Sequence, residues 1–225
     1  RESLRIRLNG EVIKLLGWGH HTQWPDTGGS PTDEQMDEDM LLLKAAGANF
    51  VRGAHYPQDP RWLDRLDENG MAMWCETLGP DVLVSDTLDP YFLKYQSEQM
   101  NEMLDNAMNH ASIAIWAFFN EGPSGNNASC PAYQMNADII RSRDHSRFVS
   151  YASNAHPPRD TCFSDVVDVV SVNDYPGWYN PEDPRERWSN TARYYNKAGK
   201  PMLISETGAG GIYEWDKNTT ALKWT

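Results

Sequence analysis

Between residues 49 and 206 the sequence is punctuated by short, nearly unbroken apolar runs: NFVRG, MAMWCE, IAIWAFF, RFVSYAS, VVDVVSV and PMLISE. A strand with one wet face alternates apolar and polar residues. A run without alternation is buried on both faces, as in a parallel sheet covered by helices. With VIKLLGW ahead of them, the runs make seven β units. A (β/α)8 TIM barrel is the expected closure, and a doubly wound open sheet is the alternative. No G-x-G-x-x-G follows the first run, which counts against a nucleotide-binding open sheet.

The segments between the runs carry helix signals. Thr32-x-x-Gln35 is a capping-box pattern with Asp33 and Glu34 in the first turn, and Met36, Met40, Leu43 and Ala46 recur at helical spacing up to Gly47. DPRWLDRLDENG reads as a helix ending at Gly70. Asp89-Pro90 opens a long one through Asn109, and others are expected from Ala132 to Arg143 and from Pro184 to Ala198. Ahead of all this, LRIRL and EVIKLLGW flank Asn9-Gly10, a hairpin signature.

Several function classes fall away. The formal net charge is −12 with no basic stripe, which disfavours nucleic acid and anionic lipid as partners. No apolar stretch reaches the roughly 18 residues of a membrane span. His20-His21 is not the His-x-His of metal-dependent hydrolase barrels. H-E-x-x-H and G-x-S-x-G are also missing, so neither a metal nor another cofactor is expected. Cys75 reads as a buried apolar thiol, whereas Cys130 and Cys162 fall in loops after the fourth and fifth runs, where a disulfide would join them. The acid-rich stretch from Asp33 to Asp39 reads as a solvated helix face.

In a (β/α)8 barrel the reacting groups sit at the C-terminal strand ends. Those ends carry His20-His21, Arg52 and His55, Glu76, Asn120-Glu121, Asn173-Asp174-Tyr175 and Glu206. Two carboxylates on facing strands are what glycoside hydrolysis needs, one to donate a proton to the leaving oxygen and one to attack. Glu121 follows IAIWAFFN, apolar surroundings that suit the proton donor, and Glu206 precedes the small-residue run TGAGG. Trp18, Trp24, Tyr56, Tyr175, Trp178, Tyr179 and Trp215 offer flat faces for sugar stacking, whereas Trp62 and Trp74 read as packing.

These residues resemble a known family. HYPQDPRWLDRLDENGMAMWCE, HASIAIWAFFNEGPS, NDYPGWY and KPMLISETGAGG, in this order, are similar to the catalytic barrel of glycoside hydrolase family two, which holds β-galactosidases, β-glucuronidases and β-mannosidases. The resemblance implies a retaining exo-β-glycosidase. Glu121 would be its acid/base, Glu206 its nucleophile, Asn120 a ligand of the sugar 2-hydroxyl and Tyr175 a donor to the nucleophile. Arg52, His55, His21, Glu76 and Trp178 would line the sugar site. Gly19-His20-His21-Thr22 stands where the family has Asn-Arg-His or Asn-Lys-His, so only His21 matches there. NDYPGWY is nearer the glucuronidase version of that loop, but the Asn-x-Lys pair that grips a uronate belongs beyond residue 225. The sugar stays open among galactose, glucuronate, mannose and glucosamine, and a carbohydrate-binding barrel with weak catalysis is the alternative.

A (β/α)8 barrel takes about 250 residues, and this chain has 225. All 225 are read as one catalytic barrel short of its eighth strand. Residues 1–10 are read as a seam with a preceding β-sandwich domain of the same full-length chain. An oligomer is compatible with this reading.

Overall fold

The computed structural model describes residues 5–154, 162–179 and 181–210. It opens with a hairpin, β1 (Arg7–Leu8) against β2 (Glu11–Val12). Asn9 and Gly10 both take positive φ between them, as a tight two-residue turn requires. The first barrel strand, β3 (Gly17–His20), is separate from β2. EVIKLLGW is therefore not one extended run. Asn49 breaks it by accepting from the Leu16 amide and donating to the Lys14 carbonyl, so side-chain bonds replace a strand partner there.

The strands then alternate with helices. In chain order they are α1 (Asp33–Ala45), β4 (Phe50–Gly53), α2 (Pro60–Glu68), β5 (Ala72–Glu76), α3 (Val84–Leu88), α4 (Pro90–Ala107) and β6 (Ile113–Ala117). There follow α5 (Cys130–Arg143), β7 (Phe148–Ser150), β8 (Ala152–Ser153), α6 (Cys162–Asp165), β9 (Val170–Asn173), α7 (Pro184–Ala198) and β10 (Met202–Glu206). The Thr32–Gln35 capping box forms at the start of α1. Helices α2, α4 and α7 each begin at an Asp-Pro pair. The aspartate accepts from backbone amides of the first turn, and the proline fills a position whose N–H has no helical partner.

Every barrel pairing is parallel, in the orders β3-β4-β5-β6-β7 and β8-β9-β10. Strands β7 and β8 are two halves of RFVSYAS on either side of Tyr151, the first pairing with β6 and the second with β9. The sheet thus follows chain order without the reversal a doubly wound sheet must contain, and the barrel expectation holds over that alternative. Among the described residues, β3 and β10 do not pair with each other.

Strand parity divides the core. Phe50, Trp74, Ile115, Ala117 and Ala152 cluster on the inner face. Their neighbours Val51, Met73, Cys75, Trp116 and Val149 pack outward against Met40, Leu63, Leu66, Met100, Leu104 and Ile140 of the helices. The same two-residue period carries Arg52 and Glu76 onto the inner face with Phe50 and Trp74. No described helix is long and apolar enough to cross a membrane.

Candidate active site

A cavity of about 890 Å³ runs along the gap between β3 and β10, from Leu15, Phe50 and Leu203 up to the C-terminal strand ends. Trp18, His21, Arg52, His55, Tyr175 and Glu206 are among its lining residues. A second cavity, of about 320 Å³, lies at the opposite end beneath the β1–β2 hairpin, lined largely by apolar side chains such as Leu8, Ile13 and Phe148.

Arg52 organises the first cavity. Its side chain is 2% exposed, and it donates through Nη2 to Glu76 Oε1 at 3.0 Å and to Asn120 Oδ1 at 2.7 Å. Its Nη1 makes an ion pair with Glu206 Oε1. Glu76 also accepts from Trp74 Nε1 at 2.5 Å and contacts His55 Nδ1 at 2.7 Å. Burial works against the ionised Glu76, but the Arg52 charge and the hydrogen bonds from His55 and Trp74 outweigh it, holding this carboxyl below the usual range. Burial likewise opposes the Arg52 charge and is outweighed by Glu76 and Glu206.

Glu206 is held by both oxygens: Arg52 takes Oε1, and the Tyr175 hydroxyl donates to Oε2 at 2.6 Å. His55 Nε2 lies 3.7 Å from Oε1. Burial, with Glu206 accepting its hydrogen, pushes the Tyr175 phenol up, so it remains a donor at any physiological pH. His21 meets His55 edge to face, with ring centroids 5.2 Å apart. Burial and the neighbouring His55 hold the His21 imidazole below its ordinary value, leaving it neutral at pH 7.

Glu121 sits at the end of β6 on the turn after Phe119 and Asn120. Phe119 and Glu121 both have left-handed φ, 51° and 53°, a conformation that costs non-glycine residues about 1–3 kcal/mol each. The Glu121 amide donates to the Ala152 carbonyl at 2.9 Å, which anchors the turn to β8. Its Oε1 accepts from Asn173 Nδ2 at 2.8 Å. Gly122 next to it is crowded, since a Cβ there would lie 2.7 Å from Tyr133 Oη.

The fold therefore gathers Arg52, His55, Glu76, Asn120, Tyr175 and Glu206 into one hydrogen-bonded set, joined to Glu121 through Asn173 and flanked by His21. Trp178 lies farther along the loop, half-buried, its amide bonded to the Tyr175 carbonyl and its ring beside Tyr179. His20 turns away from the cavity: it stacks on Trp62 at 4.4 Å and bonds Asp39. Asp39 also accepts from Trp24 Nε1, so this member of the acid-rich stretch is tied down, not merely solvated. Trp215 lies outside the described residues.

Two expectations need correction. Trp74 is buried as a packing residue, yet its indole also holds Glu76. Its place two residues before Glu76 on the same strand, hence on the same face, was the signal. Cys130 and Cys162 are bonded as a disulfide, but each is the first residue of a helix, α5 or α6, and not a loop residue. Asn173 was placed among the strand-end residues but given no role, and Ser205 was not singled out, because amides and hydroxyls at strand ends are common. The free Cys75 is pushed up to about 12 by burial and is unreactive.

Outside this site, Asp64, Asp67 and His110 bring ligand-type atoms within 4.8 Å of one another. Asp67 is already bonded to the Ser112 amide and to His110.

The chain is similar to several known proteins. A β-galactosidase from Lactococcus lactis is 32% identical over 75% of this chain, covering 17% of its own length. A β-glucuronidase from Paenibacillus borealis is 27% identical over 94% of the chain and 38% of its own length. The chain thus spans well under half of these curated relatives. A crystal structure of a β-galacturonidase from Eisenbergiella tayi, bound to glycerol, superposes with a TM-score of 0.90 at 31% identity, over 99% of this chain and 40% of that one. The family model described as "Glycosyl hydrolases family 2, TIM barrel domain" matches residues 2–214, and the chain belongs to that family.

Proposed function

We propose that this barrel hydrolyses the terminal sugar of a β-glycoside with retention of configuration, with Glu206 as nucleophile and Glu121 as acid/base. The observation that carries the reading is the fixing of Glu206 on the cavity wall by Arg52 and Tyr175, one donor for each oxygen. A nucleophile must be aimed and must not be screened by water. Glu121, on the turn after β6, would be the proton donor, with Asn120 beside it to take the 2-hydroxyl. Attack by Glu206 on the anomeric carbon forms a glycosyl ester while Glu121 protonates the departing oxygen. Water, deprotonated by Glu121, then cleaves the ester and restores both carboxyls. His21, His55 and Trp18 would bound the sugar, and Trp178 and Tyr179 would meet the leaving group.

The relatives divide between neutral and acidic sugars. The reading therefore takes in β-galactosides, β-glucuronides and β-galacturonides, with β-mannosides and β-glucosaminides as lesser candidates. The test is a panel of these nitrophenyl substrates on the intact protein, with Glu206→Gln and Glu121→Gln beside it. Glu206→Gln is expected to remove at least about 10³-fold of turnover, and proton NMR of the first product should show the β-anomer. An α-anomer would mean inversion, and undiminished rates in both variants would remove the enzymatic reading in favour of a sugar-binding barrel.

A further inference from the structure

Ser205 immediately precedes the proposed nucleophile. Its hydroxyl donates to Asn173 Oδ1 at 2.7 Å. The other end of that amide, Nδ2, donates to Glu121 Oε1 at 2.8 Å and to Asn120 Oδ1 at 3.0 Å. Asn120 Oδ1 in turn accepts from Arg52, which also grips Glu206. A hydrogen-bonded circuit thus runs from one carboxylate to the other across β10, β9, β6 and β4.

We infer that Ser205 is a positioning residue for the acid/base: by donating to Asn173 Oδ1 it holds in place the amide whose other end donates to Glu121. The inference rests on the function proposed above. The amide is tied at both ends, its nitrogen donating to Glu121 and Asn120 and its oxygen accepting from Ser205. Among the described residues, Asn173 Oδ1 has the Ser205 hydroxyl as its side-chain donor. Without that hydroxyl, Asn173 Oδ1 loses its side-chain donor, and the amide is tied only through Nδ2 to Glu121 and Asn120. The amide then shifts toward another donor for its oxygen and draws Glu121 out of line with the leaving oxygen. A buried carbonyl oxygen left without a donor is costly, because it finds no replacement for water. The Ser205 hydroxyl itself bonds neither the sugar nor the Glu206 carboxylate, so the fault falls mainly on proton donation.

Proton donation has a signature that general damage lacks. It matters most for poor leaving groups and least for those that depart unaided. On the intact protein, kcat/KM is measured for aryl glycosides of the preferred sugar, from dinitrophenyl to unsubstituted phenyl. Ser205→Ala is expected to lose roughly tenfold on the phenyl glycoside, a part of the 10²–10⁴-fold that a general acid supplies, and less than about threefold on the dinitrophenyl one. Ser205→Thr, which keeps the hydroxyl, should restore the parent profile. Ser205→Cys, nearly isosteric but a weak donor, should behave like Ser205→Ala and serves if the alanine variant does not fold. Glu121→Gln calibrates the series. If it shows the steep leaving-group dependence and Ser205→Ala and Ser205→Cys do not, or if their losses are equal across all leaving groups, the positioning role is wrong. If Glu121→Gln itself shows no such dependence, the acid/base assignment fails instead.

Discussion

Arg52 is the residue on which the site turns. A guanidinium offers five donors in a fixed plane, and here they reach Glu76, Asn120 and Glu206 from one buried side chain. Glu76 balances the arginine and lets a single cation sit beside two carboxylates at little electrostatic cost. Because the Glu76 carboxyl is held below its unfolded value, its stabilisation is present above the ordinary glutamate range, near 4.3, and is lost as pH falls through the lower folded value. The denaturant midpoint of the parent should therefore fall in acid below about pH 4. The midpoint of Glu76→Gln should start lower at neutral pH and vary less over that window. Parallel pH curves for the two would show that Glu76 is not the group responsible. At this scale the sequence was readable where chemistry sits in rare side chains: Arg52, Glu76, Glu121 and Glu206 end apolar runs and stand out. Asn173 and Ser205 do not, since their importance lies in a pairing across strands that no local pattern records.

At the level of elements, apolar runs marked the strands correctly but not their breaks. RFVSYAS changes pairing partner at Tyr151, and EVIKLLGW is interrupted by a side chain 33 residues further on. Helix starts were more legible, because Asp-Pro and the Thr32 box act within one turn. The turn after β6 depends on fit with another element. Gly122 packs under Tyr133 of α5, where a methyl group would meet Oη at 2.7 Å and the Phe119 Cβ at 3.1 Å. Both neighbours belong to a buried aromatic cluster with little room to yield. Gly122→Ala should cost about 1–3 kcal/mol of stability through overpacking and should also depress turnover on poor leaving groups by shifting Glu121. Thermal unfolding and the aryl-glycoside series would read the two effects separately, and an unchanged melt with full turnover would show that the turn has slack.

Across the whole molecule, the parallel order of the strands was legible because burial on both faces leaves a distinct composition. The pairing of Cys130 with Cys162 was legible too, from the place of both cysteines after the fourth and fifth runs. The Cys130–Cys162 bond closes a loop of sequence separation 32 and ties the start of α5, just beyond the Glu121 turn, to α6 beside β9. Loop-closure entropy for that length corresponds to roughly 3–4 kcal/mol. Cys130→Ser with Cys162→Ser, or the reduced protein, is expected to unfold at lower denaturant concentration by about that free energy; equal midpoints with and without reductant would refute it. The left-handed backbone at Phe119 and Glu121 has a different reach. Glycine relieves such a conformation, so at position 121 the change that favours the folded chain also deletes the proposed proton donor. A lineage screened for heat resistance alone would be rewarded for giving up its chemistry, and a library of this barrel keeps its catalysts only when turnover is selected in the same round.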